Sequence, residues 1–349
     1  MLSSYIHKML SEVSRERLKE YVCAVEGLRH AWENYDALEK KAKLIEDTLH
    51  SFNLDVENQD FDFYGRTYRN IIATMRKVST NPPTDPLYTN PPIPPLLKGG
   101  EEGLFEKGVQ GEILKESRGD YINENNEWIL LGAHYDAAWG SPGADDNASG
   151  VAVLLEAARI LSRQKLDTTV QFVAFTLEEP QPQTVKFLIG SNHFVKEARR
   201  QDRKYGAVFI LESVGYTNIS EGSQVIPIFV KIPVPKRGNF LGVIANRRSK
   251  TLMNVFHQIA SEYVPELIVV PYKVPLSGYL IPETRFSDHA SFWDYKYPAL
   301  MLTDTAMFRN PYYHTQNDRH ETLDFTFIFN VTKAVISAIL KLGLSPQSS

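Results

Sequence analysis

The chain has 349 residues, of which 43% are hydrophobic and 23% are charged, and its formal net charge is −4. These proportions are typical of globular proteins, and a chain of this length can bury a large core as one α/β domain or as two smaller ones. The net charge and the lack of a long Lys/Arg run argue against nucleic acid and anionic membranes as partners. A single cysteine, Cys23, excludes an intrachain disulfide.

The N-terminal region predicts helices. Residues 11–50 place apolar side chains such as Leu18 and Val22 at helical spacing, and a second helix is predicted over about 34–51. The first residues are charged and amphipathic, unlike the apolar run of a signal peptide. No stretch approaches the roughly 18 apolar residues of a membrane helix. We therefore expect a cytoplasmic location.

A proline-rich stretch interrupts the chain after a strand predicted at 68–78. The segment NPPTDPLYTNPPIPPLLKGGEEG holds seven of the 20 prolines. Because proline removes backbone donors and resists both helix and sheet, residues 79–127 are interpreted as a flexible inserted loop. The alternative is a ligand for a proline-recognising domain. The rest of 1–349 is interpreted as one domain.

After this stretch, apolar runs alternate with helical patterns. Strands are predicted at 128–134, 170–179, 206–213, 267–273 and 298–305, and helices at 148–164, 184–201 and 325–342. Such an alternation predicts an α/β fold with a doubly wound, mostly parallel central sheet and helices on both faces.

The first three apolar runs each end in side chains that can bind a metal. His134 ends the first run, Glu178 and Glu179 end the second, and Glu212 ends the third. In open parallel sheets, functional groups collect beyond the carboxyl ends of the strands. These side chains are therefore expected to lie close together.

Five segments carry the candidate chemistry. They are HYD at 134–136, GADDNASG at 143–150, LEEP at 177–180, LESVGY at 211–216 and YHTQND at 313–318. Zinc accepts imidazole nitrogen and carboxylate oxygen. The set offers enough ligands for two ions that share one carboxylate, with a further carboxylate to act as a base.

In these segments the chain resembles the co-catalytic two-zinc aminopeptidases, relatives of bacterial leucyl aminopeptidase and of glutamate carboxypeptidase. The resemblance runs from about residue 15 to the C-terminus, interrupted by 79–127. The segments SDHASFWDYKYPALMLTDTA and NPYYHTQND are especially similar to one bacterial branch. The order and spacing of the motifs carry the resemblance, since no single motif is decisive.

The resemblance implies a role for each residue of the candidate site. Asp146 would bridge two Zn²⁺ ions, because it lies four residues before the glycine of the Ser-Gly pair, as in the family. Glu178 would be the general base. The remaining metal ligands would be His134 and Glu212 on one ion and Glu179 and His314 on the other.

One ligand departs from the pattern of the family. The best-known members have Asp where this chain has Glu212, which is one methylene longer, so the occupancy of the second metal site is open. The identity of the native metal is open as well, with cobalt and manganese as candidates beside zinc. Around the ligands, Asp136, Asp288 and His289 are candidates to support them through hydrogen bonds. The alternative for Asp288 is to cap a short helix at 289–294.

Each candidate also has a structural interpretation when taken alone. His134 could end a strand with a satisfied hydrogen bond, Asp145 and Asp146 could cap a helix, and Glu212 could be an ion-pair partner. The five segments taken together, in the family order, favour the metal site. The histidines without such a context are expected to be structural or exposed, namely His193, His257 and His320.

The predicted substrate is a peptide with a free N-terminus, because a mouth rich in carboxylates suits an ammonium group. A carboxypeptidase would need a cation for the substrate carboxylate, and candidates are Arg247, Arg248, Lys250, Arg285 and Arg309. A glutaminyl-cyclase-like acyltransferase with one zinc would share the fold, as would a non-catalytic receptor relative. The sequence predicts neither the oligomeric state nor the preferred N-terminal residue.

Overall fold

The protein folds around one eight-stranded sheet. A computed structural model describes residues 2–77 and 127–344, except 183, 185 and 229. The predicted flexible loop at 79–127 lies, apart from Glu127, outside the described residues. In chain order the strands are β1 Asp55–Phe63, β2 Arg66–Met75, β3 Trp128–His134, β4 Val170–Phe175, β5 Tyr205–Glu212, β6 Leu241–Ala245, β7 Val269–Lys273 and β8 Ala299–Thr303.

The sheet is mixed and mostly parallel. Its strand order is β1-β2-β4-β3-β5-β8-β6-β7. Four neighbouring strands, β4, β3, β5 and β8, run parallel to one another. Antiparallel pairs join β1 to β2, β2 to β4, and β8 to β6. The four parallel strands therefore end at one edge of the sheet, as the predicted fold requires.

Helices cover both faces of the sheet, which confirms the predicted α/β architecture. The described helices are α1 Leu2–Leu10, α2 Arg15–Val25, α3 Tyr35–Ser51, α4 Gly150–Leu161, α5 Ile189–Arg200, α6 Lys250–Tyr263, α7 His289–Asp294 and α8 Phe325–Gly343. Adjacent residues of β3 point to opposite faces, as strand geometry requires. Leu131 packs in the larger core with α1 to α4, α6 and α8, and Leu130 packs in the smaller core with α5 and α7.

The last helix, α8, is the most apolar of the long helices. It has 19 residues and a mean hydropathy of 1.6 and, among the described helices, it alone is long and apolar enough to cross a membrane. However, 72% of it is buried inside the protein. Asp324 begins the helix by accepting hydrogen bonds from the backbone amides of Thr326 and Phe327. These contacts are those of a core helix.

Two predicted boundaries are wrong near the candidate site. The strand predicted over 170–179 ends at Phe175, because Leu177 has a left-handed φ of 53°. The helix predicted over 184–201 begins only at Ile189, after Leu188 with a φ of 58°. Glu178 and Glu179 therefore lie on a loop beyond β4 rather than on the strand itself.

Candidate metal centre

The candidate ligands meet at the edge where the parallel strands end. His134 and Glu212 are the last residues of β3 and β5. Glu179 lies on the loop after β4, and Asp146 lies just before α4. His314 comes from the loop between β8 and α8 and has a left-handed φ of 57°. Strand ends and loops that are distant in sequence thus converge on one place.

The first group of possible ligands is His134, Asp146 and Glu212, which are all buried. Nε2 of His134 lies 3.1 Å from Oδ1 of Asp146 and 3.5 Å from Oε2 of Glu212. One ligand atom from each residue lies within 4.8 Å of the other two. These atoms can therefore surround one ion.

The second group is Asp146, Glu179 and His314. Nε2 of His314 lies 3.0 Å from Oδ2 of Asp146 and 3.4 Å from Oε1 of Glu179. Asp146 belongs to both groups and turns one oxygen to each histidine. The neighbouring Asp145 belongs to neither group. The two groups therefore share one carboxylate, as a bridged pair of ions requires.

Glu178 lies beside the two groups. Its Oε2 atom is 3.9 Å from Nε2 of His134, farther than the nearest oxygens of Asp146 and Glu212. Burial raises its pKa well above the usual value, and the charges of Glu212, Glu179 and Asp288 add to this although His134 opposes it. A buried carboxylate that stands next to a metal group without completing it is suited to hold and release a proton.

The donor atoms fit divalent transition metals such as zinc. Nε2 of His134, Oδ1 of Asp146 and Oε1 of Glu179 are buried and have no hydrogen-bond partner. Buried polar atoms are normally satisfied, so three unsatisfied atoms in one place indicate a missing partner. Imidazole nitrogen and carboxylate oxygen are both ligands that zinc accepts.

The histidines and carboxylates shift one another's pKa values. Burial opposes protonation of His314, but Glu179 and Asp146 raise its pKa to about 11. His134 behaves likewise, with burial outweighed mainly by Glu178 and Glu212, which raise its pKa. Burial raises the pKa of Glu212 to about 7. In the absence of metal ions, protons on the histidines therefore offset the carboxylate charge, and metal binding releases such protons.

Asp136 lies behind the two groups and contacts both the loop of Glu178 and Glu179 and the ring of His134. Its two oxygens accept hydrogen bonds from the backbone amides of Glu178 (3.2 Å) and Glu179 (3.1 Å). Its Oδ1 atom also lies 3.6 Å from Nδ1 of His134. One buried carboxylate thus contacts the backbone of the candidate base and the ring of a candidate ligand.

Asp318 contacts the backbone at Asp146 in the same way as Asp136 contacts the backbone at Glu179. The sequence analysis did not single out Asp318. Its oxygens accept hydrogen bonds from the backbone amides of Asp145 (2.8 Å) and Asp146 (3.1 Å). Asp145 turns away from the metal groups and accepts hydrogen bonds from the Gly215 amide and the Asn310 side chain. Asp318 lies in the YHTQND segment, four residues after His314, so the motif contained this signal.

The SDH segment, 287–289, divides between the site and the core. Ser287 donates a hydrogen bond of 2.8 Å to Oε2 of Glu212. Asp288 is fully buried, its oxygens have no hydrogen-bond partner, and it does not cap α7 through its side chain. The described contacts of His289 are a hydrogen bond of 2.9 Å to the Thr284 carbonyl and a ring contact with Trp293. Ser287 is therefore the residue of this segment that hydrogen-bonds to a candidate ligand.

Comparison with known proteins decides the family. Residues 118–339 match Peptidase_M28, described as peptidase family M28. The chain belongs to peptidase family M28. The zinc dependence of this family agrees with the two groups of ligand atoms described above.

Relatives of this M28 chain include aminopeptidases. It is 30% identical to YfbL of Escherichia coli (strain K12) over 316 residues, which is 88% of this chain and 81% of YfbL. It is 27% identical to a probable leucine aminopeptidase of Arthroderma otae over 275 residues, or 72% of this chain and 66% of that protein. The chain spans somewhat more than half of the fungal leucine aminopeptidases that it matches.

Solved structures share the M28 fold at low sequence identity. The aminopeptidase LapA of Legionella pneumophila has a TM-score of 0.66 and 17% identity, covering 98% of this chain and 75% of LapA. A glutaminyl cyclase of Porphyromonas gingivalis has a TM-score of 0.61 and 20% identity, covering 94% of this chain and 98% of the cyclase. Both likenesses concern the fold.

An apolar pocket opens beside the metal centre of this M28 chain. Glu212 and Tyr313 lie on the side towards the metal groups. The wall is built by strands and loops with apolar side chains, among them Ile232, Phe240, Ile244, Tyr272, Met301 and Phe308. The ring of Tyr313 stacks on that of His314 at 3.9 Å. A side chain bound in this pocket would therefore extend directly from the metal centre.

Two more histidines of this M28 chain lie outside the metal centre. His193 stacks on Phe61. Nδ1 of His320 lies 2.7 Å from an oxygen of Glu26, and these two residues with Glu321 form a third group of possible metal ligands near the surface. The hydrogen bond between His320 and Glu26 accounts for that group without a metal.

Proposed function

We propose that this protein is an aminopeptidase with two zinc ions. The observation that carries the proposal is the pair of ligand groups that share Asp146, with the carboxylate of Glu178 next to them. One ion would be held by His134, Asp146 and Glu212, and the other by Asp146, Glu179 and His314. A pair of divalent ions supplies an activated water and polarises the scissile carbonyl.

Glu178 is the proposed general base. It lies within reach of the metal groups, and its raised pKa favours a carboxylate that takes up a proton readily. It would accept the proton of the attacking water and deliver it to the leaving amine. Asp136, whose oxygens contact the backbone amides of Glu178 and Glu179, would hold this loop in place.

The charges around the site support recognition of an N-terminal ammonium group. No lysine or arginine is found among the described residues that line the pocket. Arg285 donates hydrogen bonds to both oxygens of Asp294, and the Nε atom of Arg309 donates to Gln224. Neither cation lines the pocket, so its charges favour an aminopeptidase over a carboxypeptidase.

The apolar pocket supports a preference for large apolar N-terminal residues. Most of the residues that line this pocket are apolar. Burial of apolar surface contributes about 25 cal/mol per Å². Leucine or phenylalanine would therefore gain more from this pocket than alanine.

Chromogenic aminoacyl substrates test the proposal directly. The zinc-loaded protein should release the chromophore from leucyl and phenylalanyl anilides and should not act on the same compounds after N-acetylation. The acetyl group removes the ammonium charge but leaves the side chain and the scissile bond unchanged. Equal cleavage of blocked and free substrates, or no cleavage of either, would contradict the proposal.

Glutaminyl cyclisation is the second candidate, since the fold is shared with a glutaminyl cyclase. The two complete ligand groups favour hydrolysis, because a cyclase of the kind considered would use one zinc. A peptide with N-terminal glutamine distinguishes the two reactions. A peptidase releases free glutamine, whereas a cyclase retains the residue as a ring and releases ammonia.

A further inference from the structure

Arg29 is a buried cation at the back of the metal centre. It lies between α2 and α3, before the residues that match the family. Its side chain is completely buried. Among the described residues, no carboxylate oxygen lies within 4.0 Å of its guanidinium group. A buried charge without an ion pair costs several kcal/mol unless other groups compensate it, so its surroundings need an explanation.

The guanidinium group binds backbone carbonyl oxygens. Nε of Arg29 donates to the Tyr135 carbonyl at 2.7 Å, and Nη2 donates to the Gly143 carbonyl at 2.8 Å. Nη1 donates to the carbonyls of Pro142 and Gly27. A planar group with five N–H donors can bridge several acceptors in this way, which a lysine cannot reproduce.

Apart from that of Gly27, these carbonyls belong to the two segments that carry the proposed ligands His134 and Asp146. Tyr135 stands between His134 and Asp136, and Gly143 opens the loop that ends at Asp146. Gly143 has a left-handed φ of 60°, and a Cβ there would lie 2.3 Å from the Asp146 carbonyl oxygen and 3.0 Å from Nη1 of Arg29. The loop is therefore folded closely against the guanidinium group.

The charge of Arg29 also acts on the carboxylates. Burial lowers its pKa, but the charges of Asp318, Asp136, Asp146 and Glu179 act in the opposite direction. Before metal ions bind, these carboxylates repel one another, and a fixed cation behind them reduces this repulsion. The hydrogen bonds and the charge thus act on the same ligands.

We propose that Arg29 is a positioning residue of the metal centre, which holds the segments of His134 and Asp146 in the metal-binding arrangement before the ions enter. The inference rests on the proposed metal site but not on the peptidase reaction. Substitution of Arg29 should therefore lower the zinc affinity, and this loss should exceed what the loss of fold stability alone explains. Substitutions of residues that hold metal ligands from behind typically reduce metal affinity about 10–100-fold.

Zinc affinity of the metal-free protein tests this proposal. Arg29→Met should bind zinc at least about tenfold more weakly than wild type in competition with a chromophoric chelator. Arg29→Lys keeps the charge and part of the hydrogen bonding, so its zinc affinity should lie between those of wild type and Arg29→Met. Thermal unfolding with and without zinc should show a smaller zinc-induced rise in melting temperature for Arg29→Met.

Arg159→Met is the matched control. Arg159 is also buried, but it pairs with Glu156 on α4 and contacts no ligand segment. This variant should unfold at a lower temperature and bind zinc like wild type. Wild-type zinc affinity in Arg29→Met, or equal losses in both variants, would overturn the proposal.

Two further outcomes are decisive. If Arg29→Met does not fold, Arg29→Lys takes its place in the comparison, and failure of both to fold would show that Arg29 serves the fold rather than the metal site. If wild type itself binds no zinc, the proposed function fails together with this inference. If wild type binds zinc but cleaves no substrate, only the proposed function fails.

Discussion

Glu178 and Glu179 are adjacent in sequence but have different surroundings. Glu179 places an oxygen 3.4 Å from Nε2 of His314, within a ligand group. Glu178 places an oxygen 3.9 Å from Nε2 of His134 and belongs to neither ligand group. The two residues leave the sheet on a loop, so their different directions come from the loop and not from the alternation of a strand.

Substitution of each glutamate by glutamine should separate these roles. Glu178→Gln should keep its zinc and lose turnover by about 10²–10⁴-fold or more, because glutamine cannot accept the proton of the attacking water. Glu179→Gln should lose zinc along with turnover, because it weakens a ligand. Zinc content and turnover measured on both variants check this, and the reverse pattern would exchange the two roles.

His289 should make the protein less stable in mild acid. Burial lowers its pKa from 6.5 to about 3. Above pH 6.5 the residue is neutral in both folded and unfolded chains and has no effect on the pH dependence. Below pH 6.5 the unfolded chain takes up a proton that the folded chain refuses, so the free energy of unfolding falls by at most about 1.4 kcal/mol per pH unit.

The comparison with His289→Gln isolates this effect. Glutamine can still donate a hydrogen bond to the Thr284 carbonyl but does not titrate. In urea unfolding of the metal-free protein, wild type should lose about 2 kcal/mol more than the variant between pH 7 and pH 5. Equal losses would show that the folded protein accommodates the protonated ring.

At this scale, the sequence predicted the residues of the site better than their supports. His134, Glu179 and Glu212 come together because they follow apolar runs that end at one edge, whereas Asp146 and His314 were assigned from the family resemblance. Arg29 carried no such signal, since it hydrogen-bonds to the backbone of a residue 106 positions later. Because every residue has a backbone carbonyl, the residue type at position 135 does not indicate that Arg29 binds there.

The strands β6 and β8 form the floor of the apolar pocket. Gly242 on β6 pairs with Thr303 on β8, and both line the pocket. A Cβ at Gly242 would meet Thr303 and Thr305 at 3.3–3.6 Å, which is close but possible. A larger side chain at position 242 should therefore reduce the space inside the pocket.

Gly242→Val should shift the side-chain preference towards small N-terminal residues. Valine is well accepted in strands, and a pocket misfit of about one methylene reduces kcat/KM about 10–200-fold. The kcat/KM for leucyl and phenylalanyl substrates should fall relative to that for an alanyl substrate, while zinc content stays the same. A parallel fall for all three substrates would mean that the pocket does not bind the N-terminal side chain.

Elements with a strong apolar pattern were predictable, and those with a weak pattern were not. The predicted strand at 128–134 coincides with β3, and the predicted helix over 34–51 lies within one residue of α3. The polar strand β1 was not predicted, because as an edge strand its residues are exposed or only half-buried. The strand β6 was not predicted either, and Gly242, a residue that is uncommon in strands, interrupts its apolar run.

The order of the strands could not be read from the sequence. Sequence patterns show which residues of a strand face a core. They do not show which strands are neighbours in the sheet. The antiparallel strand β2 pairs with β4, which comes nearly a hundred residues later. Nevertheless, His134 and Glu212 end central strands and Glu179 follows β4 closely, so the proximity of these three residues was predictable without the complete topology. Asp146 and His314 lie on longer loops and were predicted from the family resemblance.

The proposed single domain should tolerate replacement of residues 78–126. Met75 pairs with Val170 of β4 from one side, and Ile129 pairs with the same residue from the other side. Two strand spacings of about 4.8 Å separate these positions, roughly 10 Å in all. A Gly/Ser linker of about eight residues can span that distance with ease.

The linker variant should keep the fold, zinc affinity and turnover of the full chain. Loop closure changes stability only slightly with length, by about 0.6 kcal/mol for each doubling. Circular dichroism, chelator competition and the chromogenic assay measure the three properties. If the linker variant fails to fold, the replaced segment contributes to the domain; if it folds but loses turnover, the segment serves the active site.

The shared position of Asp146 means that the two proposed metal sites should not fill independently. Its oxygens face opposite histidines at 3.1 Å and 3.0 Å, so an ion on one side changes the charge and the orientation of a ligand on the other. A titration with metal should therefore show correlated occupancies instead of two separate isotherms. Metal that stays bound during purification would therefore change how much added metal the protein binds in such a titration.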